Sequence, residues 1–101
     1  MSISEAIESV VSEIEPGYTF DSHFVIRQLI KKDSDSYLRF CSQYADSNEA
    51  TLTAHQQIGQ EIKKLNGQLV DRQDFDSWSA NIHGKGSKCA AWKKILDSKA
   101  R

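Results

Sequence analysis

The spacing of apolar residues changes at Gly67 from a helical to a strand-like pattern. Before this glycine, apolar side chains recur three and four residues apart in several segments, whereas after it they alternate with polar side chains. The length of 101 residues suits one domain with a modest core. We therefore predict a single α+β domain over residues 1–101, with three to four helices followed by a C-terminal β-hairpin.

The first segment, residues 2–14, is predicted to be an amphipathic helix because its apolar side chains gather on one face. Ser2 and Glu5 have the S-x-x-E form of a capping box, which satisfies free amides at the start of a helix. Pro16 and Gly17 follow and end the helix.

A short strand and two further helices are predicted next. The β-prone residues 18–20 precede a helix over residues 23–32, for which Asp21 or Ser22 can serve as the N-cap. The polar run DSDS ends that helix and caps a third one over residues 36–45, where apolar and aromatic side chains keep helical spacing.

The fourth predicted helix covers residues 53–66. Thr53 and Gln56 have the form of a T-x-x-Q capping box, and Gly67 supplies a left-handed stop at the other end. The face expected to join the core carries Leu52, Ile58, Ile62 and Leu65. The opposite face carries mainly amide and ammonium groups, on Thr53, Gln56, Gln57, Gln60, Lys63 and Lys64.

Two apolar-rich runs, residues 68–75 and 89–96, are predicted to pair as a hairpin across the long polar loop between them. A C-terminal helix over residues 89–96 is the alternative, because Ala, Lys and Leu favour helices. Trp92 has apolar neighbours and is expected in the core, whereas Trp78, set among Ser and Asp, suits the core and a contact surface equally.

This order of elements resembles that of the winged helix-turn-helix superfamily. The resemblance covers residues 3–96 and lies in element order and pattern, without a family sequence signature. About twenty residues separate the helices at 23–32 and 53–66, where that superfamily has a tight turn, so either the first of these or the helix at 36–45 is an added element. The resemblance implies that residues 53–66 form the recognition helix and that residues 77–88 form the wing.

Double-stranded DNA is the partner that this resemblance implies. Gln pairs with adenine in the major groove, Lys reaches guanine or phosphate, and the free amides at a helix start can take a phosphate. Residues 51–101 hold nine Lys and Arg against five Asp and Glu, whereas residues 1–50 hold four against nine, so attraction to phosphate is confined to the second half. The predicted DNA-binding residues are Thr53, Gln56, Gln57, Gln60, Lys63, Lys64, His83, Lys85, Ser87 and Lys88.

Catalytic and metal sites are not expected. The stretch HGKGSK at 83–88 has its glycines two apart, which does not match the phosphate loop of nucleotide-binding enzymes. No metal or cofactor is predicted, because zinc-ligand spacing is missing among His23, His55, His83, Cys41 and Cys89. No catalytic residue is predicted either: spacing alone does not exclude a Cys–His nucleophile pair, but nothing in the sequence favours one.

We therefore predict a non-enzymatic domain that binds double-stranded DNA, as a small bacterial or phage transcriptional regulator or accessory protein. The alternative is a protein–protein interaction module on a winged-helix scaffold without DNA binding, which the net charge of −1 favours. The isolated Cys41 and Cys89 suggest buried reduced thiols and a cytoplasmic location. We expect no signal peptide and no membrane segment, and the sequence leaves open whether the chain forms a homodimer.

Overall fold

The computed structural model describes residues 2–46, 49–82 and 84–95, and it confirms the predicted α+β class. Four helices precede a hairpin, and a short strand lies between the first two helices. In chain order the elements are α1 Ile3–Ser12, β1 Thr19–Asp21, α2 Ser22–Lys32, α3 Ser34–Ser42, α4 Ala50–Lys63, β2 Val70–Ala80 and β3 Gly86–Lys94. Within the described ranges, no helix combines the length and apolar character needed to cross a membrane.

The three strands form one antiparallel sheet in the order β1-β3-β2. Phe20 of β1 and Arg72 of β2 both lie opposite Trp92, so β3 is the central strand. The strand interpretation of this segment is therefore correct as far as Lys94, and the C-terminal helix is wrong there. Pairing on both sides satisfies the backbone of β3, which outweighs the helical preference of its Ala and Lys residues.

One hydrophobic core joins all four helices to the sheet. Trp92 is 2% exposed, which confirms the prediction that it belongs to the core, and its Nε1 donates a 3.1 Å hydrogen bond to Ser22 Oγ. The buried members of this core are Ala6, Ile7, Val10, Val11, Val25, Ile26, Leu29, Tyr37, Ile58, Ile62, Leu69, Val70 and Trp92.

The predicted helix caps are confirmed in α1 and α2. Ser2 and Glu5 form the reciprocal capping box of α1. Asp21 rather than Ser22 caps α2, and its Oδ1 accepts a 2.8 Å hydrogen bond from the amide of Phe24. Helix α3 begins earlier than predicted because Asp33 ends α2 and caps α3 at once, which leaves no room for a longer loop.

Helix α4 begins at Ala50, three residues before the predicted start. The amide of Thr53 donates a 2.9 Å hydrogen bond to the carbonyl of Glu49, as an amide inside a helix does. The T-x-x-Q pattern is therefore not a capping box, and Thr53 does not offer a phosphate the free amides of a helix start. At the other end α4 stops at Lys63, three residues before the predicted end. Gly67 has φ of +84°, as expected for a left-handed glycine, but it lies beyond the C-cap Lys64 and does not end the helix.

The buried stripe of α4 is formed by Ala54, Ile58 and Ile62, each 0% exposed. These residues are four apart and so lie above one another along the helix. Leu52 falls outside that stripe and is 50% exposed, which corrects its predicted place in the core.

The hairpin strands are longer, and their loop shorter, than predicted. The ladder from Asp76↔Ala90 to Ala80↔Gly86 runs through the segment expected to be a loop, so only residues 81–85 connect the strands. Ser77 and Ser79 occupy the partly buried positions of this ladder, where an apolar side chain would give a recognisable strand pattern. Because these inward positions hold small polar residues, the sequence lacks the alternation of apolar and polar residues that identifies a strand.

A β-bulge divides the hairpin into two halves. Arg72 pairs with Trp92, but the next pair is Asp76 with Ala90, so β2 contains two more residues than β3 between these pairs. Bulges bend a strand and increase its twist, which sets the outer half of the hairpin at an angle to the core.

Lys94 of β3 is 0% exposed and connects this strand to α1 through hydrogen bonds. Lys94 Nζ donates hydrogen bonds to the carbonyl oxygens of Val11, at 3.1 Å, and Ile14, at 2.7 Å. The last turn of α1 has no basic residue of its own. Lys94 thus supplies both the donors and the positive charge that a helix C-terminus favours.

Candidate nucleic-acid interface

A groove of about 630 Å³ separates α4 from the β2–β3 hairpin. The first turn of α2 contributes Ser22 and His23 to its lining, and the hairpin contributes Arg72, Lys88 and Ala90. Several of the residues predicted to bind DNA lie along this groove. They are Gln56, Gln60, Lys63, Ser87 and Lys88.

The helical side of the groove is the exposed face of α4. Gln56, Gln60 and Lys63 recur at helical spacing and are exposed, on the side away from the buried stripe. Gly59 lies between them, and a Cβ added there would meet nothing within 4 Å. The helix backbone is therefore open to close approach at this point.

The hairpin side of the groove carries cationic groups that share one carboxylate. Arg72 Nη2 lies 2.7 Å from Asp76 Oδ1, and the guanidinium stands 5.7 Å from the centre of the Trp92 ring. Lys88 Nζ lies 3.8 Å from the other oxygen of Asp76. In the part of the chain that the structure describes, Lys63 on the facing helix forms no ion pair, so the groove has a positive balance.

Some of the other predicted DNA-binding residues lie beyond the groove. Gln57 is on the neighbouring stripe of α4, and Lys64 is the C-cap of that helix, with its Nζ 2.5 Å from Glu61 Oε2. Hydrogen bonds to Glu61 from Lys64 and from Ser4 Oγ lower the pKa of this carboxyl. Lys64 is therefore partly neutralised.

Lys85, which also belongs to the predicted set, is exposed in the hairpin loop, and its amide donates a 3.2 Å hydrogen bond to Asn81 Oδ1. His83 falls outside the described residues.

Helix α2 holds the hairpin in place through side chains that sequence reasoning did not assign to any site. Ser77 Oγ donates a 2.8 Å hydrogen bond to Asp21 Oδ2, and Arg27 Nη1 donates a 3.0 Å bond to the carbonyl of Ala80. Between them, His23 Nδ1 lies 2.7 Å from Ser79 Oγ. These pairs are more than fifty residues apart in sequence, so no spacing rule reveals them.

The side chains of Asp21, His23 and Cys89 lie close together where the hairpin packs against the start of α2. One possible ligand atom from each lies within 4.8 Å of the others, and all three residues are half-buried. Burial raises the pKa of Asp21, but hydrogen bonds from Ser77 and the Phe24 amide outweigh it and hold that pKa below its ordinary value. Burial and the Asp21 charge raise the pKa of the Cys89 thiol.

A second polar pair lies under the groove, between α3 and α4. Tyr37 is 6% exposed, and its hydroxyl lies 2.7 Å from Nε2 of His55, which lines the groove. Burial raises the pKa of Tyr37, and a hydrogen bond with the Cys41 thiol and its charge raise it further. Both cysteines are free thiols, but they are half-buried rather than fully buried as predicted.

The two tryptophans have opposite environments. Trp92 closes the core, whereas Trp78, opposite Lys88 on the hairpin, is 71% exposed. Phe75, in the bulge, is 53% exposed.

Comparisons with protein-family models, curated proteins and solved structures give no significant match for this chain.

Proposed function

We propose that this chain is a non-enzymatic, winged-helix-like domain that binds double-stranded DNA, with α4 as the recognition helix and the β2–β3 hairpin as the wing. The element order and the C-terminal antiparallel hairpin support this arrangement. We place the domain in the cytoplasm, as a small bacterial or phage transcriptional regulator or accessory protein.

The observation that carries the proposal is the shared groove. Gln56, Gln60 and Lys63 of α4 and Lys88 of the hairpin come from distant parts of the sequence and line the same surface. An exposed helix fits the major groove of DNA, where Gln can pair with adenine and Lys can reach guanine or phosphate. A cationic hairpin beside that helix is suited to the sugar–phosphate backbone.

We divide the proposed roles among the predicted residues according to their positions relative to the groove. We assign base contacts to Gln56 and Gln60, which line the groove, rather than to Gln57, which does not. Phosphate contacts fall to Lys63, Lys88 and the exposed Lys85 of the loop. The patch is small, so we expect a correspondingly shallow dependence of affinity on salt.

The test measures binding of a fluorescent random-sequence duplex at several salt concentrations. The double variant Lys63→Ala with Lys88→Ala removes two groove cations. The matched control, Lys31→Ala with Lys93→Ala, makes the same charge change at exposed positions outside the groove. Loss of two phosphate contacts should reduce the slope of log K against log salt by about 1.8 in the groove variant and leave the control unchanged. Equal behaviour of the two variants would remove the groove from the interface.

A protein–protein interaction module is the second candidate, and the exposed aromatic residues of the hairpin favour it. Trp78, which pairs with Lys88, and Phe75, in the bulge, are exposed on the hairpin rather than buried in the core. Aromatic residues are enriched in protein interfaces. Absence of any binding to duplex at low salt, together with a protein partner whose capture requires Trp78, would establish this function instead.

A further inference from the structure

The cluster formed by Asp21, His23 and Cys89 joins three elements that are far apart in sequence. Asp21 ends β1, His23 lies in the first turn of α2, and Cys89 is in the central strand. Their ligand atoms all lie within 4.8 Å of one another. His23 and Cys89 also line the groove, so an ion in solution can reach the cluster from there.

We propose that Asp21, His23 and Cys89 bind one divalent transition-metal ion of the zinc class. Thiolate, imidazole and carboxylate are the ligands that zinc takes in proteins. The two anionic ligands balance a doubly charged ion. This inference goes beyond DNA binding and does not depend on it.

The ligand atoms are close enough together to surround one ion. With zinc–ligand bonds near their usual lengths, the ligand atoms of a tetrahedral site lie roughly 3.3 to 3.6 Å apart. The atoms of this cluster are at most 4.8 Å apart, so small side-chain rotations can bring them into range. With three protein ligands, a water molecule from the groove takes the fourth position.

Hydrogen bonds around the cluster already hold the ligands in place. His23 Nδ1 lies 2.7 Å from Ser79 Oγ, whereas its Nε2 makes a longer contact of 3.3 Å with Ser87 Oγ. One ring nitrogen can keep its serine partner while the other gives its lone pair to the metal. Histidine ligands of metals usually donate their other N–H group in this way, which fixes the tautomer and the ring.

Asp21 can bind an ion while it also caps α2. Its oxygens accept hydrogen bonds from the Phe24 amide and from Ser77 Oγ, both at 2.8 Å. A carboxylate oxygen has two lone pairs, so each can accept one hydrogen bond and still bind an ion. The metal would thus connect the end of β1 and the start of α2 to the hairpin.

The thiol of Cys89 responds to the ion by losing its proton. Without metal, burial and the charge of Asp21 raise its pKa. A coordinated divalent cation reverses this effect and deprotonates the thiol, so binding releases a proton to the buffer.

The test titrates the full chain, kept reduced, with Co²⁺ and follows its absorption. We expect one equivalent to produce intense tetrahedral d–d bands and a thiolate-to-cobalt charge-transfer band, both removed by Zn²⁺. Cys89→Ser should abolish the charge-transfer band and weaken binding by about a hundredfold or more, since loss of a mere outer hydrogen-bond partner already costs 10–100-fold. Cys41→Ser, which changes the other half-buried thiol, should leave both signals unchanged.

A second measurement guards against a variant that misfolds. At a hundredfold excess over its dissociation constant, Zn²⁺ should raise the unfolding midpoint of the native chain and of Cys41→Ser by about 10 °C. His23→Gln and Cys89→Ser, each checked for native circular dichroism, should show no such rise. The proposal is overturned if millimolar Co²⁺ gives no bands with the native chain, or if the charge-transfer band persists in Cys89→Ser.

Discussion

Lys94, in the last strand, donates a 2.7 Å hydrogen bond to the backbone carbonyl of Ile14, just beyond the end of the first helix. The lysine side chain is 0% exposed, so its ammonium group depends on this carbonyl and that of Val11 for its hydrogen bonds. The pair connects the last strand to the C-terminal end of the first helix, eighty residues away in sequence.

Lys94→Met tests this connection. Methionine fills a similar volume but leaves the Ile14 carbonyl without the Lys94 donor, while the Val11 carbonyl keeps the Ile14 amide as a donor. We therefore expect the free energy of unfolding to fall by about 1–3 kcal/mol. Urea unfolding followed by circular dichroism measures the change. The exposed neighbour serves as a control, since Lys93→Met should change stability by less than about 0.5 kcal/mol. Equal effects at the two positions would contradict the role of Lys94.

Gly59→Ala separates folding from binding. The added methyl group meets no atom within 4 Å, and glycine inside a helix is unfavourable, so the variant should be more stable by about 0.5–1 kcal/mol. The same methyl projects into the groove and should weaken duplex binding if DNA approaches the α4 backbone there. Thermal unfolding and duplex titration give the two values. Gly67→Ala, at a φ of +84°, should instead destabilise the fold.

Gln60→Ala compared with Gln57→Ala tests which face of α4 reads DNA. Only Gln60 lines the groove. On a selected binding sequence its loss should cost about 1–3 kcal/mol, as expected for a base contact, while leaving the salt dependence unchanged. The measurement is a competition titration between selected and random duplexes. A larger loss for Gln57→Ala would mean that the neighbouring stripe is the recognition face.

Stability should decrease at alkaline pH because of Tyr37. Burial raises its pKa in the folded state, so the folded protein holds the phenol proton more tightly than the unfolded chain does. The resulting stabilisation is complete below the ordinary tyrosine pKa of about 10 and is lost as the pH rises above it. Unfolding midpoints measured from pH 8 upward should decline less steeply in Tyr37→Phe than in the native chain. Tyr44→Phe, at a half-buried tyrosine, should keep the native decline.

The sequence predicted most of the elements because their signals are local. The capping box at Ser2 and the left-handed Gly67 each depend on residues a few positions apart. The start of α4 was misplaced because Thr53 and Gln56 fit the interior of a helix as well as its cap. The outer halves of β2 and β3 were not predicted as strands because their inward positions hold Ser77 and Ser79. The polar partners of these serines, Asp21 and His23, are distant in sequence, so no local pattern reveals them.

The candidate site was predicted only in part, for the same reason. Gln56, Gln60 and Lys63 follow from helical spacing along one element. Their meeting with Lys88 across the groove depends on how the hairpin packs, and the approach of Cys89 to His23 depends on the central position of β3. Tertiary packing, rather than residue type, determines both.

The bulge between Arg72 and Asp76 constrains how the length of this hairpin can vary among descendants of the chain. Residues 73–75 face a single residue of β3, and a bulge of this kind can take up a change in length without turning the residues beyond it to the opposite face. Ser77 would keep its position toward Asp21 and Trp78 its exposed position, while the angle and reach of the outer half change. Natural length variation in this hairpin should therefore be concentrated in residues 73–75 rather than in the paired outer half.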